Sequence, residues 1–155
     1  MTNIATRVHL LILSLIICKC SSSPLRDACE QLSFTPGSLD GKCFRSLAIE
    51  EGEEVQNLVP DSYIEVCFEG DSVKAFAGCN HMSSKCVVDG DLSLSCEYMM
   101  STEMWCQDLM SQENFLSTFL TSNPVLATDG YNLCMTSGDT VIGLLDKDEI
   151  DEERK

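Results

Sequence analysis

Aromatic residues make up only 6% of this chain, so an interior built on stacked rings is excluded and the core must come from Leu, Val, Ile, Met and Phe. Basic residues are scarce as well: 10 Lys and Arg stand against 25 Asp and Glu, a net charge of −15. They form no cluster, which argues against nucleic acid and anionic membrane surfaces as partners, because phosphate contacts need grouped cations. The acidity reads as a means of solubility rather than as a binding face. No Cys-x-x-Cys pair occurs, whereas structural zinc sites usually present close-spaced ligand pairs, so no metal is expected. The only histidines are His9 and His81, and no strained nucleophile turn accompanies them, so a Ser-His-Asp set is not expected. There is no Asn-x-Ser/Thr sequon and hence no expected N-glycosylation.

What is present describes a globular chain. Hydrophobic residues reach 44% and charged residues 23% of 155, which suits one domain with short tails. Residues 1–23 read as a secretory signal peptide. Arg7 precedes the apolar run Val8 to Cys18, and Lys19, Cys20 and the small residues Ser21, Ser22 and Ser23 follow. That run is too short to cross a bilayer, which takes roughly 20 apolar residues. Cleavage is expected near residues 20–23. It leaves 8 basic against 25 acidic residues, a net charge of −17, and places the protein outside the cell.

The ten cysteines divide accordingly. Cys18 and Cys20 fall in the signal segment, and Cys29, Cys43, Cys67, Cys79, Cys86, Cys96, Cys106 and Cys134 remain. An even eight in an oxidising compartment reads as up to four disulfides, with 105 complete connectivities open.

Residues 24–38, with Pro24, Pro36 and Gly37, read as a leader. The acidic stretch 50–62, broken by Gly52 and Pro60, reads as a loop. The acidic tail 147–155 offers little to bury and is expected to be mobile. Between them the sequence predicts hairpins. A two-residue turn at Gly70-Asp71 pairs Phe68 with Val73 and Val66 with Ala75, putting both apolar sets on one face. A three-residue loop, Asp89-Gly90-Asp91, would pair Val88 with Leu92 and Cys86 with Leu94, leaving Cys96 a diagonal neighbour of Cys86. A third pair joins Tyr131–Met135 to Val141–Leu145 about Ser137-Gly138-Asp139. One helix is predicted, capped by Ser111, with Phe115, Leu116, Phe119 and Leu120 as its apolar stripe and Asn123-Pro124 as its stop. The fold class is therefore α+β: a mostly antiparallel β domain with one packed helix, stabilised by disulfides.

Five segments in order resemble the META/HslJ domain family. Leu39-Asp40-Gly41-Lys42-Cys43 is similar to its opening Leu-x-Gly-x-Trp strand, with Cys43 in place of tryptophan. Gly78-Cys79-Asn80 resembles its Gly-Cys-Asn signature, and Thr102-Glu103-Met104-Trp105-Cys106 its Thr-x-Met-Ala-Cys segment. Glu113 to Leu120 and Tyr131 to Leu145 are similar to the following helix and the closing strand pair, so the domain is expected over 39–146. Where the family usually has glycine and tyrosine after its signature, this chain has Ser84 and Cys86, as in a secreted branch that exchanged aromatic packing for cross-links. The resemblance implies a compact β domain with no agreed enzymatic activity and no named ligand. Its members are associated with bacterial envelopes, stress or drug tolerance, and with parasite virulence. It also implies Cys79 with Cys106 as the first disulfide, closing a loop of about 28 residues worth roughly 3–4 kcal/mol.

Four further features bear on function. Cys79 beside His81 could form a thiol-based site, although no third group is visible to orient the histidine. Met82, Met99, Met100, Met104 and Met110 invite a soft metal such as copper, but adaptable packing explains them more simply. Asp89-Gly90-Asp91 lacks the remaining ligands of a calcium loop and is a turn. Cys67 and Cys134 fall opposite their strands' apolar sets, so their partners should lie over the outside of the sheet, with Cys29 and the leader as a cover. The expected function is a secreted, non-catalytic module that needs no cofactor and binds an unknown protein partner. A protease-inhibitor-like role for loop 50–62 and a thiol enzyme are the alternatives.

Overall fold

The computed structural model describes residues 23–32 and 39–153. The expected signal segment (through Ser22), residues 33–38 of the leader and the last two residues lie outside them. Among the described residues no helix is long and apolar enough to cross a membrane.

Period-two alternation builds the sheet. In β3 (Glu65–Glu69) and β4 (Ser72–Phe76), Phe68 pairs with Val73 and Val66 with Ala75, and all four are buried. Gly70 takes φ +58° in the two-residue turn, a conformation that glycine adopts without cost. β5 (His81–Val88) follows antiparallel, with Met82, Ser84 and Cys86 inward and His81, Lys85 and Val87 exposed. β1 (Cys43–Glu51) pairs with β3 at its start and with the short β2 (Glu54–Gln56) at its end. It also runs beside β10 (Thr140–Asp146), which pairs with β9 (Asn132–Ser137). β9 in turn pairs with β8 (Val125–Thr128). The order β6-β5-β4-β3-β1-β10-β9-β8 curls until Ser93, before β6 (Leu94–Cys96), bridges Val125. The Leu94 N–H donates to Pro124 O, and the Leu126 N–H to Leu92 O. These bonds nearly close a barrel.

Phe44, Ile64, Val66, Leu133, Met135, Ile142 and Leu144 fill its interior. One helix, Met110–Leu120, buries Leu116, Phe119 and Leu120 in the same cluster. The α+β class therefore holds, with a mostly antiparallel sheet.

The structure differs from the sequence reading at five places. The hairpin after β5 pairs Cys86 directly with Cys96 and Val88 with Leu94, so the loop spans five residues rather than three. The Asp89 carboxylate accepts the N–H groups of Asp91 and Ser93, and Leu92, not Gly90, takes the left-handed conformation (φ +62°). The pairing shifts by two residues, which preserves the faces. Ser111 does not cap the helix: the chain already turns at Cys106–Leu109, where the Leu109 and Met110 N–H groups both donate to Cys106 O. The stretch 50–62 is not a plain loop, since β2 folds back on β1. The leader contains a helix, α1 (Pro24–Cys29), so the helix Met110–Leu120 is α2. Finally, a helix α3 (Lys147–Glu153) stands where a mobile tail is expected. Contacts at its base explain the order: Lys147 reaches Glu65 at 3.4 Å, and Asp151 lies 3.9 Å from Arg45.

α1 covers the outer face of β9 and β10. Leu25 and Leu32 pack with Cys29, Cys134 and Val141 there. Burial on both faces explains why β10 is apolar over Val141–Leu144 instead of alternating. The buried Glu50 carboxylate accepts the Leu25 N–H and the Ser23 hydroxyl, tying the start of α1 to β1.

Candidate functional site

The family-like motifs meet at one place, and their chemistry there is structural. Asn80 enters β5 almost fully buried. Its Oδ1 accepts the Thr102 hydroxyl and the Met104 N–H, both at 2.8 Å, and its Nδ2 donates to Met104 O at 2.9 Å. Asn80 also donates its backbone N–H and its Nδ2–H to the two oxygens of the buried Glu113, in the first turn of α2. Gln112 beside it donates to Ala77 O and to the Ser62 hydroxyl and accepts the Val59 N–H. Three parts of the chain distant in sequence are thereby locked together: the bend before β5, the segment 102–104 and the start of α2.

Gly78 makes that bend possible. Its φ is +113°, and a Cβ placed there would lie 2.7 Å from Leu109 Cδ2. Both the backbone conformation and the space call for glycine. Cys79 and Cys106 lie at disulfide distance just outside the polar lock, with Cα atoms 6.3 Å apart.

Three further cysteine pairs lie at the same kind of distance. Cys29 sits against Cys134, which joins α1 to β9, Cys43 against Cys67 across β1 and β3, and Cys86 against Cys96 across β5 and β6. All eight cysteine sulfurs among the described residues are thus taken in pairs. Cys43, Glu65 and Cys67 bring ligand-type atoms within 4.8 Å of one another, but the two sulfurs face each other and the Glu65 carboxylate is held by Arg45 at 2.7 Å. Burial works against the Arg45 cation, yet its hydrogen bond and charge pairing with Glu65 raise its pKa above the ordinary value. The Arg45 guanidinium also lies 4.4 Å from the centre of the Tyr63 ring.

The alternative Cys79–His81 arrangement does not form. Cys79 lies in the bend ahead of β5 and its sulfur faces Cys106, while the exposed His81 ring lies tilted against Phe76 with centroids 5.0 Å apart. The five methionines also part company: Met82 and Met99 belong to the core, while Met100 and Met104 are exposed. In the stretch 50–62, the Val55 side chain is exposed, but the far end is tethered through Val59 to Gln112.

One surface was not singled out from the sequence. β7 (Met100–Ser101) pairs with Met82 and Ser83 of β5, and the segment from Glu97 to Leu109 runs along that edge. Met99 points into the core, whereas Tyr98 is 85% exposed, Trp105 79% exposed, and Met100 and Met104 are more than half exposed. An open cleft of about 450 Å³ adjoins it, lined by Lys74, His81, Met82, Ser83, Met100 and Thr102. The sequence signal was there, in a run of aromatic and methionine residues with no period that would bury all of them.

The META domain family profile matches residues 38–148. The fold is similar to an NMR structure of a protein from Burkholderia xenovorans, with TM-score 0.60 and 14% identity, covering 74% of this chain and 90% of that one. A second NMR structure gives TM-score 0.54 at 16% identity over 72% and 94% of the two chains. The crystal structure of a DUF4847 family protein from Bacteroides vulgatus gives TM-score 0.52 at 10% identity over 69% and 93%. No curated protein sequence matches the chain.

Proposed function

The chain belongs to the META domain family, and from that premise we propose that it is a secreted, non-catalytic binding module that presents the segment Glu97–Leu109 to a protein partner. META domains are not a known class of enzymes, and here the eight mature cysteines are used up in pairs. Export supplies the oxidising space such pairs need. The observation that carries the reading is the contrast within one short segment. The Asn80 bonds and the Cys79–Cys106 pair hold its backbone, while Tyr98, Met100, Met104 and Trp105 lie open to solvent. A surface held rigid before binding loses little conformational entropy on contact.

Expression of the full chain through a secretory pathway tests this. The expected product is in the medium, begins near residues 20–24, and shows no free thiol under native conditions. Retention in the cytosol with reduced sulfhydryls, or one titratable thiol on the folded protein, contradicts the reading.

A further inference from the structure

The partner's chemistry can be taken one step further, resting on the reading above. We propose that the surface along β5 and Glu97–Leu109 docks a basic, apolar-bearing peptide segment of another protein, with Lys or Arg side chains laid over Trp105 and Tyr98.

The charge distribution carries this inference. No Lys, Arg or His occurs between Lys85 and Lys147. That whole length supplies acids only, and Glu97, Glu103 and Asp108 stand exposed among the open apolar side chains. Lys85 bounds the surface at one end, and the one cation in the adjoining cleft, Lys74, is paired with Glu69 at 2.6 Å.

The geometry suits an extended segment. Cys96 lies opposite Cys86, Met100 opposite Ser83, and Met104 is bonded to Asn80. The exposed residues therefore follow β5 for about 20 Å at the usual strand rise. The faces of Trp and Tyr attract Lys and Arg through the ring quadrupole, and carboxylates beside the rings add Coulomb attraction. A second copy of this chain is a poor occupant, since it would bring its own large negative charge to an acidic surface.

Trp105 is the single tryptophan, so its fluorescence reports the surface directly. The full secreted chain is titrated with a Lys/Leu peptide, a Glu/Leu peptide of equal length and polylysine. Saturable change of Trp105 emission is expected with the Lys/Leu peptide, weakening as salt rises, with no response to Glu/Leu and at least tenfold weaker binding of polylysine. Trp105→Ala and Tyr98→Ala, followed through a dye on the peptide, should each weaken binding about tenfold while leaving the circular dichroism unchanged. Equal affinity of Trp105→Ala and the parent, or equal binding of the acidic and basic peptides, overturns the proposal. So does Trp105 emission that shifts with protein concentration alone, which assigns the surface to a second copy, or with phosphatidylcholine vesicles, which assigns it to a membrane. A secreted, fully oxidised protein that binds none of the peptides overturns the partner class alone. A reduced cytosolic protein overturns the module reading itself.

Discussion

The Glu113 carboxylate receives both donors of Asn80: the backbone N–H on one oxygen and the side-chain amide on the other, the latter at 2.8 Å. Both residues are buried, and α2 is thereby fastened to the start of β5. Glu113→Gln keeps the shape but turns an NH₂ group toward one of those donors. A loss of about 1–3 kcal/mol in stability is expected, the cost of a buried polar group left unpaired. Thr102→Val removes the hydroxyl bond to Asn80 and the acceptor of the His81 N–H, but at an exposed residue where water can replace both, and should cost less, about 0.5–1.5 kcal/mol. Urea unfolding midpoints give the ranking, and equal or reversed losses would show that Glu113 is not the anchor.

Gly78→Ala meets two obstacles, a positive φ of +113° and Leu109 Cδ2 at 2.7 Å. A destabilisation of about 1–3 kcal/mol is expected. In the double variant with Leu109→Ala the steric part should vanish and the backbone part persist. A thermodynamic cycle on the four proteins measures this, and strict additivity would argue against the contact.

The four cysteine pairs close loops of very different length, with separations of 105 for Cys29–Cys134, 24 for Cys43–Cys67, 27 for Cys79–Cys106 and 10 for Cys86–Cys96. Loop entropy then predicts that replacing Cys29 and Cys134 together by alanine costs most, about 4.7 kcal/mol, and replacing Cys86 and Cys96 least, about 2.7 kcal/mol. Thermal unfolding of the paired alanine variants tests the order. Peptide mapping without reduction tests the connectivity itself.

Asp129 gives a pH dependence. Its partial burial alone would raise its pKa. Hydrogen bonds from the Asn132 backbone and side chain and from the Tyr131 N–H outweigh this and hold it below the ordinary carboxylate value. A lowered folded-state pKa adds stability above the unfolded value, about 3.9, and that contribution is lost as pH falls through the folded pKa. Asp129→Ala should therefore be less stable than the parent at neutral pH, with the gap shrinking below about pH 4. A gap that stays constant down to pH 2 would contradict the assignment.

Trp105 is 79% exposed, so Trp105→Ala should leave stability within about 0.5 kcal/mol of the parent. A larger loss in calorimetry would mean that the ring is structural.

Local pattern carried much of the architecture. The alternation of Val66, Phe68, Val73 and Ala75 was enough for the first hairpin and its register, because the two-residue turn leaves one pairing that keeps both apolar sets on one face. It was not enough for the next hairpin, where the Asp89 side chain organises a longer loop and Ser93 is committed to β8. α1 and α3 were not legible either. Each is short and held by distant contacts, α1 by Glu50 and the Cys29–Cys134 pair, α3 by Glu65 and Arg45. Of the candidate site, the motif residues Gly78, Asn80 and Thr102 stood out in the sequence, but their role in holding the Glu97–Leu109 segment did not.

From the sequence alone followed the family, through the resemblance of its short motifs, the mostly antiparallel class, through strand alternation and turn residues, and the even count of cysteines after residue 23, because all of these are local properties of the chain. Tertiary structure alone decided that Cys43 meets Cys67 across β1 and β3, how the barrel closes through Ser93 and Val125, and that Trp105 and Tyr98 stand outside while Met99 turns in. These outcomes depend on contacts between residues far apart in the chain, and no local pattern encodes which distant surface each side chain will find.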